Sequence, residues 1–291
     1  MKLSIESYGL VERFGEHKAV DLAKQAGFDA IDYSFYWENE KEEVLGASYI
    51  EHAVELRRYL DKVGMECNQA HAPFTIRYGC KFDVTDQKYL WLIHTIEAAA
   101  LLGANNIIVH AITVPAGVDF EEYNVRYYKS LIPYCEKFGI RVAVENLFAK
   151  DPETKRIIGK IGSPEELNRI VAKIDSSWIV ACVDVGHAML TGYPPEEFIR
   201  GVSAPILKAL HIHDNDCISD RHIAPYTGEL KWVEIMKALQ KAKYEGELTF
   251  ELVGFLKKFP DELIPDALRF ILSIGKYLVA VYNSASEELF I

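Results

Sequence analysis

The 291-residue chain has little that could hold it together covalently. Its five cysteines, Cys67, Cys80, Cys135, Cys182 and Cys217, are odd in number, and no two have CxxC spacing. A disulfide framework is therefore not expected, and a reduced, intracellular setting is. No run approaches ~18 uncharged apolar residues, so no membrane span is expected. The first residues, Met1 to Ser7, lack the apolar core of a signal peptide, and a cytoplasmic location follows as the expectation. GxGxxG after a strand, GxxxxGK[ST], HExxH and GxSxG are all absent, which removes sequence support for four common chemistries. Positive charge is also scarce. Lys and Arg number 32 against 43 Asp and Glu, a net charge of −11. Non-specific nucleic-acid binding draws on Lys and Arg, so a nucleic-acid partner is disfavoured.

What is present is ordinary in amount and regular in order. Hydrophobic residues make up 49% and charged residues 26%, enough for a large core. Short apolar runs alternate with longer amphipathic ones. Strands are predicted at 3–8, 30–33, 65–72, 106–110, 140–145, 179–184, 207–213 and 247–252. Helices are predicted at 16–26, 47–63, 85–102, 120–138, 195–200, 231–243 and 261–277, and one starts after Ser163. Gly27, Gly64, Gly103 and Gly139 stand where helices should end. Ser163, Pro164 and Glu166 form a capping-box pattern. Strands alternating with helices imply parallel βα units, and eight of them imply an α/β fold, a single (β/α)8 TIM barrel. No linker or low-complexity stretch interrupts it, so residues 1–291 read as one domain. The tail from Val279 to Ile291 should pack on the outside or fray.

The histidines and buried-type carboxylates are not scattered. His17, His52 and His94 fall on predicted helices and read as surface residues. His71, His110, His187, His211, His213 and His222 all fall at strand ends or in the loops just after them. Glu145, Asp184 and Glu251 end the apolar strings "RVAVE", "IVACVD" and "ELTFE". Barrel enzymes build their sites at the C-terminal ends of strands. Strands three to eight thus each deliver a ligand-type side chain to one rim: His71, His110, Glu145, Asp184, His211 and Glu251. Any one of them alone could be a loop cap or a hydrogen-bonded core residue. Together, buried carboxylates converging without a cation would repel one another at a cost of several kcal/mol. A divalent metal removes that cost and uses their oxygens. His213 lies one strand period from His211 and faces the same side. Gly254 could let a substrate approach the backbone. The aromatics Tyr8, Tyr33, Phe35, Tyr36 and Trp37 are either outer-loop packing or a wall for a small polyol.

These residues resemble a known family. "HAPF" at His71, "VHA" at His110, "VENL" at Glu145, "DVGHA" from Asp184, "HIHD" from His211, "DRH" from Asp220 and "FELVG" at Glu251 are similar to the xylose-isomerase-like barrels. That group includes sugar phosphate isomerases, ketose 3-epimerases and endonuclease IV. For the epimerase type, the resemblance implies one metal (Mn, Mg or Zn) on Glu145, Asp184, His211 and Glu251. Glu145 and Glu251 would also be the acid–base pair. His71, His110, His187, His213 and His222 would contact substrate. For the nuclease branch it implies three zinc ions, with His71, His110, His187, Asp220 and His222 as further ligands. The loop after "HIHD" carries Asp214, Asp216 and Asp220 against the single Arg221, and no basic cluster is legible on the rim loops.

The expected function is a metal-dependent sugar or sugar phosphate isomerase or epimerase that moves a proton through an enediolate. Its partner would be a small-molecule sugar, and homo-oligomerisation stays open. The alternative is an endonuclease IV-like zinc phosphodiesterase acting on DNA. A third reading is a metal-free sugar-binding barrel without catalysis.

Overall fold

The computed structural model describes every residue except 36–41, 75–81, 116, 152, 155 and 288–291. Eight parallel strands form one sheet: β1 (Leu3–Glu6), β2 (Ala30–Ser34), β3 (Glu66–His71), β4 (Asn106–Val109), β5 (Arg141–Glu145), β8 (Ile179–Asp184), β9 (Leu207–His211) and β10 (Leu248–Phe250). The order β10-β1-β2-β3-β4-β5-β8-β9 leaves β9 and β10 as its two ends. They are joined by a parallel bridge between Ile212 and Phe250, where Ile212 N–H donates to Thr249 O at 2.8 Å. The sheet therefore closes on itself, as the alternation predicts.

The helices start and stop for local reasons. Ser163 and Glu166 form the reciprocal capping box at the head of Pro164–Ile174. Asp86 and Asp119 cap Gln87–Leu102 and Phe120–Phe138. Gly64 and Gly103 end their helices in the left-handed conformation, which glycine enters without a Cβ penalty. Predicted strand 3–8 stops at Glu6, because a short helix, Tyr8–Phe14, begins there. The closing helix runs from Ile264 to Glu287 rather than ending at Tyr277, since Leu278 is buried and Val279, Val281 and Tyr282 pack against the core. Beyond the prediction, β6 (Phe148–Lys150) and β7 (Ile157–Gly159) form an antiparallel hairpin after β5.

Alternation along the strands sorts side chains into two layers. Outward residues such as Ile107, Val109, Val142 and Val144 join the large core shared with the helices. Inward residues Ile108, Ala143, Val180, Cys182 and Ala209 form a separate, smaller plug inside the barrel. Beside the plug lies a neutral polar network: Ser4 Oγ donates to Asn68 Oδ1 at 2.6 Å, and Asn68 Nδ2 donates to Thr249 Oγ1 at 3.2 Å. Inward carboxylates and imidazoles sit at the C-terminal mouth.

Candidate metal centre and active site

His71, Glu145, Asp184 and His211 are the last residues of β3, β5, β8 and β9, while His110 and Glu251 follow β4 and β10 directly. All six are buried. His211 sits at the middle of the carboxylates. Its Nδ1 is 2.7 Å from Glu145 Oε1, 3.4 Å from Glu251 Oε2 and 3.9 Å from Asp184 Oδ2. His213 turns Nε2 to Asp184 at 3.0 and 3.1 Å, and also comes within 4.8 Å of Glu251. Both histidines therefore face the same acids, with His211 reaching all three and Glu145 most closely.

Two further groups flank this one. On the first side, His71 Nε2 and His110 Nε2 face each other at 3.1 Å, and His110 Nε2 is 2.6 Å from Glu145 Oε2. On the other, Asp220 Oδ2 lies 3.0 Å from His222 Nε2 and 3.6 Å from His187 Nε2, with His213 alongside. The ring orientations share a logic. A backbone carbonyl can only accept, so each imidazole nitrogen beside one must donate. His71 Nδ1 donates to Ala72 O at 2.8 Å, His187 Nδ1 to Asn146 O at 3.1 Å and His222 Nδ1 to Glu251 O at 3.2 Å. In the neutral ring the other nitrogen, Nε2, then carries the lone pair, and in all three it points into a ligand group. Glu145 Oε2 is buried without a well-aligned hydrogen bond. Imidazole lone pairs and carboxylate oxygens converging in this way form a donor set that fits divalent cations.

The electrostatics agree. Burial works against the charged form of Glu145, but His211 and His110 outweigh it and hold the carboxyl well below its ordinary range. Burial likewise opposes Asp184, and His187 and His213 lower it. Burial disfavours a charged His222, yet Glu251 and Asp220 push it up to about 10. His187 and His211 are raised well above the usual value against the same burial penalty. Carboxylates and imidazoles thus shift one another across one buried mouth, and a cation binding there would compete with protons for the same atoms.

Several expectations change. Gly254 does not open space for a ligand. A Cβ there would lie 1.8 Å from Arg221 O, so the glycine lets the loop carrying Asp220 and His222 pass close to the chain after β10. Tyr33 and Phe35 are buried, and the Tyr33 hydroxyl donates to Glu16 in the helix layer, so these two rings are packing rather than a substrate wall. Tyr36 and Trp37 lie outside the described residues. His52 and His94 are half-buried rather than free surface residues. His52 bonds Glu16 at 2.9 Å, and His94 stacks on Tyr49.

Glu6 and Asp32 escaped the sequence reading, and Asp214 read there only as a loop aspartate. Glu6 ends β1, buried, and accepts from Tyr8 N–H at 2.5 Å and from the Ser34 hydroxyl. Burial, and then Glu251, raise its carboxyl to about 8. Asp32, on β2, meets His211 Nε2 at 3.2 Å. Asp214 accepts from Asn215 N, Tyr226 N, Leu230 N and Trp232 Nε1, and so ties down the loop that brings Asp220 and His222 to His187. The signal for Glu6 and Asp32 was present in principle: each is an acidic residue at an inward position of a short, fully buried strand.

Residues 20–274 match the family described as xylose isomerase-like TIM barrel. The chain belongs to that family. The protein MJ1311 of Methanocaldococcus jannaschii is 26% identical over 200 residues, which span 66% of this chain and 63% of that one. Among solved structures, a D-tagatose 3-epimerase-like protein superposes with a TM-score of 0.73 at 23% identity, covering 98% of this chain and 99% of the other. The IOLI protein, crystallised with a zinc atom, gives 0.70 at 16% identity, with 98% and 99% covered. At these identities the structural likeness establishes the fold, and the family's barrel is the frame in which the mouth residues must be read.

Proposed function

We propose that this xylose isomerase-like barrel is a metal-dependent isomerase or epimerase of a sugar or sugar phosphate. The observation that carries the reading is the convergence of Glu145, Asp184 and Glu251 on His211 Nδ1, all within 3.9 Å, at the C-terminal mouth. Those four residues would hold one divalent ion, Mn²⁺, Mg²⁺ or Zn²⁺. Such an ion supplies Lewis-acid polarisation of a ketose carbonyl and its neighbouring hydroxyl. Glu145 and Glu251 then have the chemistry left to do. They approach from different strands, so one can take the proton from the acidified C–H and the other return it from a different direction. Return to the same carbon inverts it, and return to the neighbouring carbon isomerises the sugar. His71, His110, His187, His213 and His222 ring the same space and would hold substrate oxygens. The D-tagatose 3-epimerase-like protein among the structural neighbours supports this substrate class.

The test is solvent exchange. Incubation with candidate ketoses in deuterium oxide should place deuterium at the carbon next to the carbonyl, only with metal present and not in Glu145→Gln or Glu251→Gln. No exchange across a panel of free and phosphorylated ketoses would overturn the reading.

A second reading has its own observation. The His71–His110–Glu145 and His187–Asp220–His222 groups each gather donors of the zinc type. An endonuclease IV-like phosphodiesterase would use all three groups to clamp an in-line displacement. It is distinguished by three bound ions and by cleavage of an abasic-site oligonucleotide that is lost in His71→Ala and Asp220→Ala.

A further inference from the structure

Inside the barrel, beneath the mouth, Asp32 belongs to none of the motifs above. It is fully buried on β2, and its Oδ2 lies 3.2 Å from His211 Nε2 and accepts from Gln69 Nε2 at 2.8 Å. Its other oxygen is buried with no hydrogen bond. A buried carboxylate with one neutral donor is poorly satisfied, so the imidazole is the partner that matters.

The backbone is adapted to make this contact. Between β2 and β3 the register slips: Ile31 pairs with Cys67, but Asp32 pairs with Gln69. The extra residue is Asn68. Consecutive strand residues normally face opposite sides, yet here Asn68 reaches Ser4 and Thr249 while Gln69 reaches Asp32, all within the barrel. Bulges re-aim side chains in this way and are common beside active sites.

We infer that Asp32 is a positioning residue for His211, and that it sets metal affinity through the ring's tautomer; this rests on the metal reading above. A carboxylate oxygen accepts, so the contact of Asp32 Oδ2 with Nε2 calls for the proton on Nε2. Nδ1, 2.7 Å from Glu145 and within reach of Asp184 and Glu251, is left to bind the cation. His71, His187 and His222 are held by backbone carbonyls, which no substitution of a side chain can alter. His211 is held by a carboxylate, and its tautomer can be changed by one mutation. Asp32→Asn keeps the shape but offers an amide N–H that can donate to Nε2. The proton then moves to Nδ1 and blocks it.

Metal affinity of the full chain should be measured by zinc and manganese titration after chelation, for wild type, Asp32→Asn and Gln69→Ala. Asp32→Asn is expected to bind 10- to 100-fold more weakly, the usual range for losing the partner of a ligating histidine. Gln69→Ala should weaken binding less, because the Asp32 side chain still faces Nε2. The metal-free melting temperature of Asp32→Asn should stay at or above wild type. In the zinc-loaded wild type, ¹⁵N NMR should show Nε2 protonated and Nδ1 as the metal-bound nitrogen. Equal affinity in Asp32→Asn, or a His211 bound through Nε2, would overturn the inference. A wild type that binds no metal would instead defeat the reading on which it rests.

Discussion

The floor and the mouth of this barrel both carry buried polar side chains, yet they solve opposite problems. On the floor, Ser4, Asn68 and Thr249 are neutral and complementary, hydroxyl to amide oxygen and amide nitrogen to hydroxyl. Nothing further is needed to satisfy those contacts. At the mouth, Glu6, Glu145, Asp184, Asp220 and Glu251 crowd with six imidazoles, and like groups face one another, as His71 and His110 do at 3.1 Å. Such an arrangement is costly on its own and becomes favourable with a cation. The floor is satisfied as it stands, whereas the mouth carries a cost in stability that the metal binding proposed above would offset.

The sharpest way to break this contrast is to remove the bases at the mouth. Glu145→Gln and Glu251→Gln should each lower turnover at least ~10²-fold, the low end for lost general acid–base catalysis, while the fold persists. Steady-state rates together with solvent-deuterium incorporation check this. A near-normal exchange rate in either variant would remove that glutamate from the role of base.

Glu6 tests whether the mouth stores unfavourable charge when metal-free. Its carboxyl is raised from 4.5 to about 8 by burial and by Glu251. The folded state therefore holds this proton more tightly than the unfolded one. Its stabilising contribution is complete below about pH 4.5 and is lost as pH rises toward 8. At ~1.4 kcal/mol per unit, and with part of the shift lost to relaxation, chelated wild type should lose on the order of 2 kcal/mol over that interval. Glu6→Gln should flatten that part of the profile. Urea unfolding at pH 5 and pH 8 measures it, and identical slopes in the two proteins would refute it.

These contrasts also explain what the sequence makes legible. The βα alternation reads directly, because period and caps are local. The strand-end residues from His71 to Glu251 read directly too, because barrel geometry sends strand ends to one rim. The contribution of β1 and β2 does not, since Glu6 and Asp32 sit in strings with no histidine motif. The contact of Asp32 with Gln69 depends on a bulge that no residue pattern announces. Asp214 reads as an ordinary loop aspartate until the fold brings Trp232 and three backbone amides to it. Gly254 reads as a place for a ligand and proves to be a place for Arg221.

The floor has its own test. Asn68→Ala leaves Ser4 and Thr249 without their shared partner inside the barrel, a loss of about 1–3 kcal/mol. That loss should be the same with and without metal, because the network does not touch the mouth residues. A mouth variant such as Asp184→Asn should do the reverse, erasing the metal-dependent rise in melting temperature while sparing the chelated protein. Thermal scans at matched metal concentrations separate the two patterns. A metal-dependent effect of Asn68→Ala would show that floor and mouth are coupled.

The smallest effect belongs to charges that remain in water. Lys2 Nζ bonds Glu66 Oε2 at 2.5 Å, a shorter contact than most at the mouth, but the two side chains are 50% and 57% exposed. Solvent screening and the entropy of fixing two flexible chains leave such a pair with ~0.5 kcal/mol or less. Lys2→Ala should therefore barely move the unfolding midpoint, and 0.5 M salt should remove what difference there is, since the Debye length then falls to roughly 4 Å. Chemical denaturation at low and high salt measures both. A loss above about 1 kcal/mol that survives salt would mean that distance, rather than exclusion of water, governs what a charge pair contributes in this barrel, and the contrast between its mouth and its surface would fail.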